Sequence, residues 1–80
     1  MTDNGKIMKH MVTNVMGNEV EIQARKVQDG YRAEWSFDGG DKWSCLLKNY
    51  THVKDALANA QTGAFIAQVH QNAVNRRKVS

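Results

Sequence analysis

The sequence predicts an α+β domain: an antiparallel β-meander of three to four strands with one C-terminal helix packed on one face. Short segments in which apolar and polar residues alternate fill the first half, separated by glycine turns. An alanine-rich stretch with helical apolar spacing fills the second half. Proline is absent, so glycine, asparagine and aspartate mark every turn. Eighty residues make one domain over 1–80. The ends, about 1–6 and 76–80, are expected to be flexible.

Turn chemistry sets the expected strand pairing. Gly17-Asn18 suits a two-residue type II′ hairpin and sets Val15 opposite Val20, Thr13 opposite Ile22 and Met11 opposite Ala24. Asp29-Gly30 suits type I′ and sets Ala24 opposite Trp35 and Ile22 opposite Phe37. Asp38-Gly39-Gly40 makes a three-residue loop with Gly40 in the left-handed region. It sets Trp35 opposite Trp43, Ala33 opposite Cys45 and Tyr31 opposite Leu47.

These pairings give one apolar face: Met11, Val15, Val20, Ile22, Ala24, Tyr31, Ala33, Trp35, Phe37, Trp43, Cys45 and Leu47. Slipping one strand by a residue would turn its apolar set outward. The opposite face, Glu19, Glu21, Gln23, Arg25, Arg32, Glu34, Ser36, Lys42, Ser44 and Lys48, reads as solvated and of mixed charge. On the first strand Met8, Val12 and Met16 alternate onto that solvent side. Fraying of a terminal strand explains them; so does a small docking surface.

The helix is expected to start near Thr51 as N-cap, with a slip of one residue allowed because Asp55 lies too late for a capping box, and to run to about Asn75. Val53, Ala56, Leu57, Ala60, Ala64 and Ala67 form its inward stripe. Phe65, Ile66, Val69 and Ala73 lie on the opposite side. Either Thr62-Gly63 breaks or bends the helix and turns these residues inward, or they form a partner or homodimer face.

Composition narrows the function. The formal net charge is +3 and the pI about 9.3, a mildly basic balance. Arg76, Arg77 and Lys78, with Arg25 and Arg32, are the candidate nucleic-acid contacts. The chain opens without an apolar signal-peptide core and holds no membrane-length apolar run. With a lone cysteine, Cys45, it is expected to be cytoplasmic and free of internal disulfides.

No catalytic residue, metal site or cofactor is expected. His10, His52 and His70 lack ligand spacing. Cys45 is expected in the core, away from any base. Asp38 and Asp41 bracket a turn, where aspartate bonds local backbone. Tyr31, Trp35 and Trp43 would make a stacking platform only on the open face, and the expected register places them under the helix. The reading is a small non-enzymatic protein-interaction or regulatory module, a homodimer or the binder of a small protein partner. A nucleic-acid-binding regulator is the alternative, and a small enzyme a distant third.

Tyr31-Arg32-Ala33-Glu34-Trp35, a glycine turn, a further strand and Asp55-Ala56-Leu57-Ala58-Asn59-Ala60 resemble HicB-type antitoxin domains over about residues 20–62. The resemblance implies a β-β-β-α module that neutralises a small toxin ribonuclease. The family's Pro-Gly near the second turn is replaced by Gly39-Gly40, and its third-strand connection is shorter. The chain is also similar to small uncharacterised proteobacterial meander-plus-helix proteins, which implies a fold alone.

Overall fold

The computed structural model describes residues 5–79, with side chains for 5–74. Of the two tails expected to be flexible, residues 1–4 and 80 and the side chains of Arg76, Arg77 and Lys78 lie outside the described residues. Four strands, β1 (Ile7–Val15), β2 (Asn18–Val27), β3 (Gly30–Ser36) and β4 (Ser44–Tyr50), precede one helix, α1 (Val53–Val79). The strands form a single antiparallel sheet in the order β1-β2-β3-β4, and α1 packs across one face. The predicted α+β meander with a C-terminal helix is therefore what the chain forms.

The first two hairpins are each displaced by two residues from the expected pairing. Met16 and Gly17 form the first turn with φ of 52° and 87°, so Val15 faces Asn18 and Met11 faces Ile22. Both central residues take positive φ, the type I′ pattern, and Gly17 fills the second position rather than the first. The second turn centres on Gln28-Asp29, with Val27 opposite Gly30, Ala24 opposite Ala33 and Ile22 opposite Trp35. Gly30 opens β3 at φ 132°, and a Cβ there would strike the Tyr50 carbonyl oxygen. A displacement of two residues preserves the side each residue faces. Val15, Val20, Ile22, Ala24, Ala33 and Trp35 are accordingly buried under α1, as expected.

The third connection shifts by an odd number, and the outcome inverts. The loop between β3 and β4 spans residues 37–43, longer than the three-residue turn expected. Glu34 then faces Cys45, while Arg32 faces Asn49 and Tyr31 faces Tyr50. Leu46 and Tyr50 pack against the core instead of Trp43, Cys45 and Leu47. Cys45 is exposed, and Leu47 is 100% exposed. Phe37, past the end of β3, is also exposed, as is Met11 near the sheet edge. β1 is a nine-residue strand, so the apolar side chains of Met8 and Val12 lie along a formed edge and not on a frayed end.

α1 begins within one residue of the expected cap: the His52 carbonyl accepts the Ala56 N–H at 3.1 Å, which makes His52 the capping position in place of Thr51. The helix continues without a break through Thr62-Gly63 for 27 residues, roughly 40 Å. Ala56, Leu57, Ala60, Gly63 and Ala64 face the sheet. Gly63 lies against the Trp35 indole, where a Cβ would come within 2.6 Å of the ring. Small side chains thus let the helix axis approach the sheet closely while Trp35, 7% exposed, fills the space beneath.

Candidate interaction surfaces

The unbroken helix decides where its second apolar group goes. With Ala60 and Ala64 buried, residues about half a turn away point from the sheet. Phe65, Ile66 and Val69 are 50%, 61% and 45% exposed, and Ala73 is exposed as well. The bend that would have turned them inward does not occur. Two shallow grooves run beside α1. One lies between Phe65 and the Met16 turn; the other lies between Ala67 and Phe37. Met16 is exposed beside Phe65, so it widens the apolar surface there, whereas the Phe37 groove is lined by Ala67, Gln68 and Gln71, outside the stripe.

A second feature of this stripe is its lack of charge. From Ala56 to Asn75, 20 residues contain no aspartate, glutamate, lysine or arginine. An isolated, solvated helix surface normally carries them. Protein interfaces are depleted of charge at their centre, because a buried charge must lose its hydration. The run is visible in the sequence, and is the signal that apolar periodicity alone overlooks.

The sheet face away from α1 is the other surface, and it is not the open solvated plane expected. Gln23, Glu34 and Ser36 are buried there. His10, Gln23, Glu34 and Cys45 are successive cross-strand neighbours in one row over all four strands. The Glu34 carboxylate accepts hydrogen bonds from Gln23 Nε2 at 2.6 Å and from Arg25 Nε at 3.0 and 3.2 Å. Arg25 Nη1 also donates to the Gly5 carbonyl at 2.6 Å, which ties the start of the chain to the sheet. His10 Nε2 lies 2.7 Å from Glu21 Oε1.

Trp43 closes this side. Its ring meets the His10 ring edge-on, with centroids 6.3 Å apart and planes at 74°. The loop before it is held by Ser36, whose hydroxyl donates to Asp38 Oδ1 at 2.7 Å and accepts the Gly40 N–H at 2.9 Å. Asp38 Oδ1 in turn accepts the Lys42 N–H at 3.0 Å. The Lys42 amide first, and the Ser36 hydroxyl second, hold the Asp38 carboxyl below its ordinary value. Trp35 and Trp43 therefore sit on opposite sides of the sheet, and no joint stacking platform forms.

The remaining candidates are dispersed. Arg25 is engaged by Glu34 and Gly5, and Arg32 sits half-buried opposite it. His52 and His70 are exposed on or beside α1. Among the described residues no cluster of three or more histidine, cysteine, aspartate or glutamate side chains can hold a metal ion, and no helix is long and apolar enough to cross a membrane. No family model, curated protein or solved structure matches this chain. Fold and surfaces define its class: a four-stranded meander with one overlying helix, closed by a polar cluster on the other side.

Proposed function

We propose that the chain is a non-enzymatic protein-interaction or regulatory module that associates, as a homodimer, through the outer stripe of α1. One observation carries the reading: a continuous helix holds Phe65, Ile66, Val69 and Ala73 away from the core that the described residues form. An 80-residue chain buries a small core, and self-association is a common source of added stability at this size. Two copies can bring these stripes together without opposing like charges, since residues 56–75 have none. The resemblance to HicB-type antitoxin domains supports the same class, a protein that acts by occupying another. Glu34, the buried carboxylate, is committed to Arg25 and Gln23 and serves the fold in this reading.

Light scattering at micromolar concentration tests it. Wild type is expected to be larger than a monomer, and Phe65→Asp and Ile66→Asp variants are expected to stay folded and lose that association. A monomeric wild type, with both variants folded and unchanged in mass, would refute the homodimer.

A further inference from the structure

The sheet ends in two edges, β1 and β4, and they differ. An edge exposes unpaired backbone N–H and C=O groups, which sheets commonly blunt with bulges, charge or proline. β4 is blunted: its pairing slips between Arg32 and Glu34, and the extra residues throw Leu47 fully outward. Beside Leu47 stands Lys48.

β1 has no such protection over its regular part. Its pairing with β2 is unbroken from Lys9 to Val15, and Lys9 is its one residue with a full charge. Apolar side chains are exposed on both of its faces, Met8 and Val12 on one and Met11 on the other.

The ladder specifies what fits this edge. Val15 and Asn18 close a two-residue hairpin and form a hydrogen-bonded pair. Pairs alternate along an antiparallel ladder, so Lys9, Met11, Thr13 and Val15 bond to β2. His10, Val12 and Asn14 then direct their N–H and C=O groups away from the sheet. Another extended backbone can pair with the whole row at once, in place of the water that otherwise solvates it.

We propose that β1 pairs antiparallel with β1 of a second copy, about a two-fold axis through Val12. Val12 then faces its own counterpart, and His10 faces the second copy's Asn14. Every outward-directed backbone group from 10 to 14 finds a partner of the right kind. Between these pairs Met11 meets Thr13, and Lys9 meets Val15. The two Lys9 side chains stand six residues apart along the ladder, roughly 20 Å. An axis through Met11 instead would set Asn14 against Met8, inside the irregular stretch between Ile7 and Lys9, so the regular part of the strand selects Val12.

The result is a continuous eight-stranded sheet with both helices on one side. This association does not depend on the helical stripe. If both surfaces are used, each chain carries two self-complementary patches, the arrangement of a closed dihedral tetramer.

Cysteine cross-linking of the full chain in a Cys45→Ser background tests the register. Facing residues of a hydrogen-bonded pair have Cα atoms about 5.5 Å apart, within disulfide reach. Val12→Cys is expected to form a covalent dimer on mild oxidation, with or without Phe65→Asp. Asn14→Cys, whose counterpart lies roughly 14 Å away along the ladder, is expected not to. Val12→Pro removes an outward N–H and leaves the β1–β2 ladder intact, so it should halve the native mass in the Phe65→Asp background. Val12→Lys gives the same reading without a backbone change. No cross-link at Val12, equal cross-linking at 12 and 14, or an unchanged mass in folded Val12→Lys would overturn the pairing. Loss of mass only with Phe65→Asp would leave the helical interface standing alone.

Discussion

The two sides of the sheet are each roofed over, by opposite means. Under α1, alanines and Gly63 press onto Trp35 and a dry aliphatic layer of Val15, Val20, Ile22 and Ala24. On the far side Gln23, Glu34 and Ser36 are buried, Trp43 meets His10 edge-on, and hydrogen bonds do the ordering. The first side is held by contact area and shape. The second is held by satisfied polar groups. A meander with a single helix has one face too many, and this chain closes it with side chains rather than a second helix. Among the described residues, the outer stripe of α1 and the β1 edge are the two places where exposed apolar side chains group together, with Phe37 and Leu47 exposed elsewhere.

The contrast can be broken most directly at the two tryptophans. Trp35→Ala should cost about 3–5 kcal/mol in urea unfolding, the usual loss for a large core aromatic. Trp43→Ala should cost clearly less, because that ring is only half-buried. Equal costs would mean that the far side is a second core. Trp35→Phe should be milder than Trp35→Ala, since it keeps an aromatic ring in the core; both remove a buried indole N–H without a hydrogen-bond partner among the described residues.

On the far side Glu34→Ala should cost about 1–3 kcal/mol, because the buried Gln23 amide loses its acceptor. Comparable stability in this variant would show that the polar cluster is ornamental to the fold. Gly63→Ala sharpens the near side. Alanine favours an exposed helix by about 1 kcal/mol, yet here its methyl group meets the Trp35 ring. Overpacking of about 1–3 kcal/mol should dominate, giving net destabilisation in the same unfolding assay.

Smaller effects come from the loop and the bulge. Asp38 has its carboxyl held below the ordinary range in the folded state, so it stabilises above the unfolded-state value. That contribution is lost as pH falls through the folded-state value. Asp38→Asn should therefore flatten the acid end of the stability profile, and an unaltered profile would contradict the Lys42 and Ser36 contacts. Leu47→Ser should change stability by no more than about 0.5 kcal/mol, because that side chain touches nothing it can lose.

Alternation and turn residues were enough to read the meander, its strand order and most of the near-side core. They succeeded even where the turns were misplaced, because Met16-Gly17 and Gln28-Asp29 each lie an even step from the expected pairing. β4 was misread because Ser36 and Asp38 organise a longer loop, and an odd step exchanges Cys45 and Leu47 for Leu46 and Tyr50. Side-chain bonds to loop backbone leave little trace in hydrophobic periodicity. The burial of Glu34 is equally hidden, since it depends on Arg25 and Gln23 of the neighbouring strand converging on its carboxylate. The helical stripe was legible residue by residue; what periodicity could not settle was whether Gly63 broke the helix. Contact with Trp35 explains that glycine as a fit to the indole, within an unbroken helix.

Amide hydrogen exchange across residues 62–73 at two protein concentrations, a hundredfold apart, tests the central claim that α1 runs straight and lends its outer stripe to another chain. Continuous protection through Gly63, rising over Phe65–Ala73 at the higher concentration, is the predicted result. Rapid exchange at 62–64, or protection at 65–73 that ignores concentration, would contradict it.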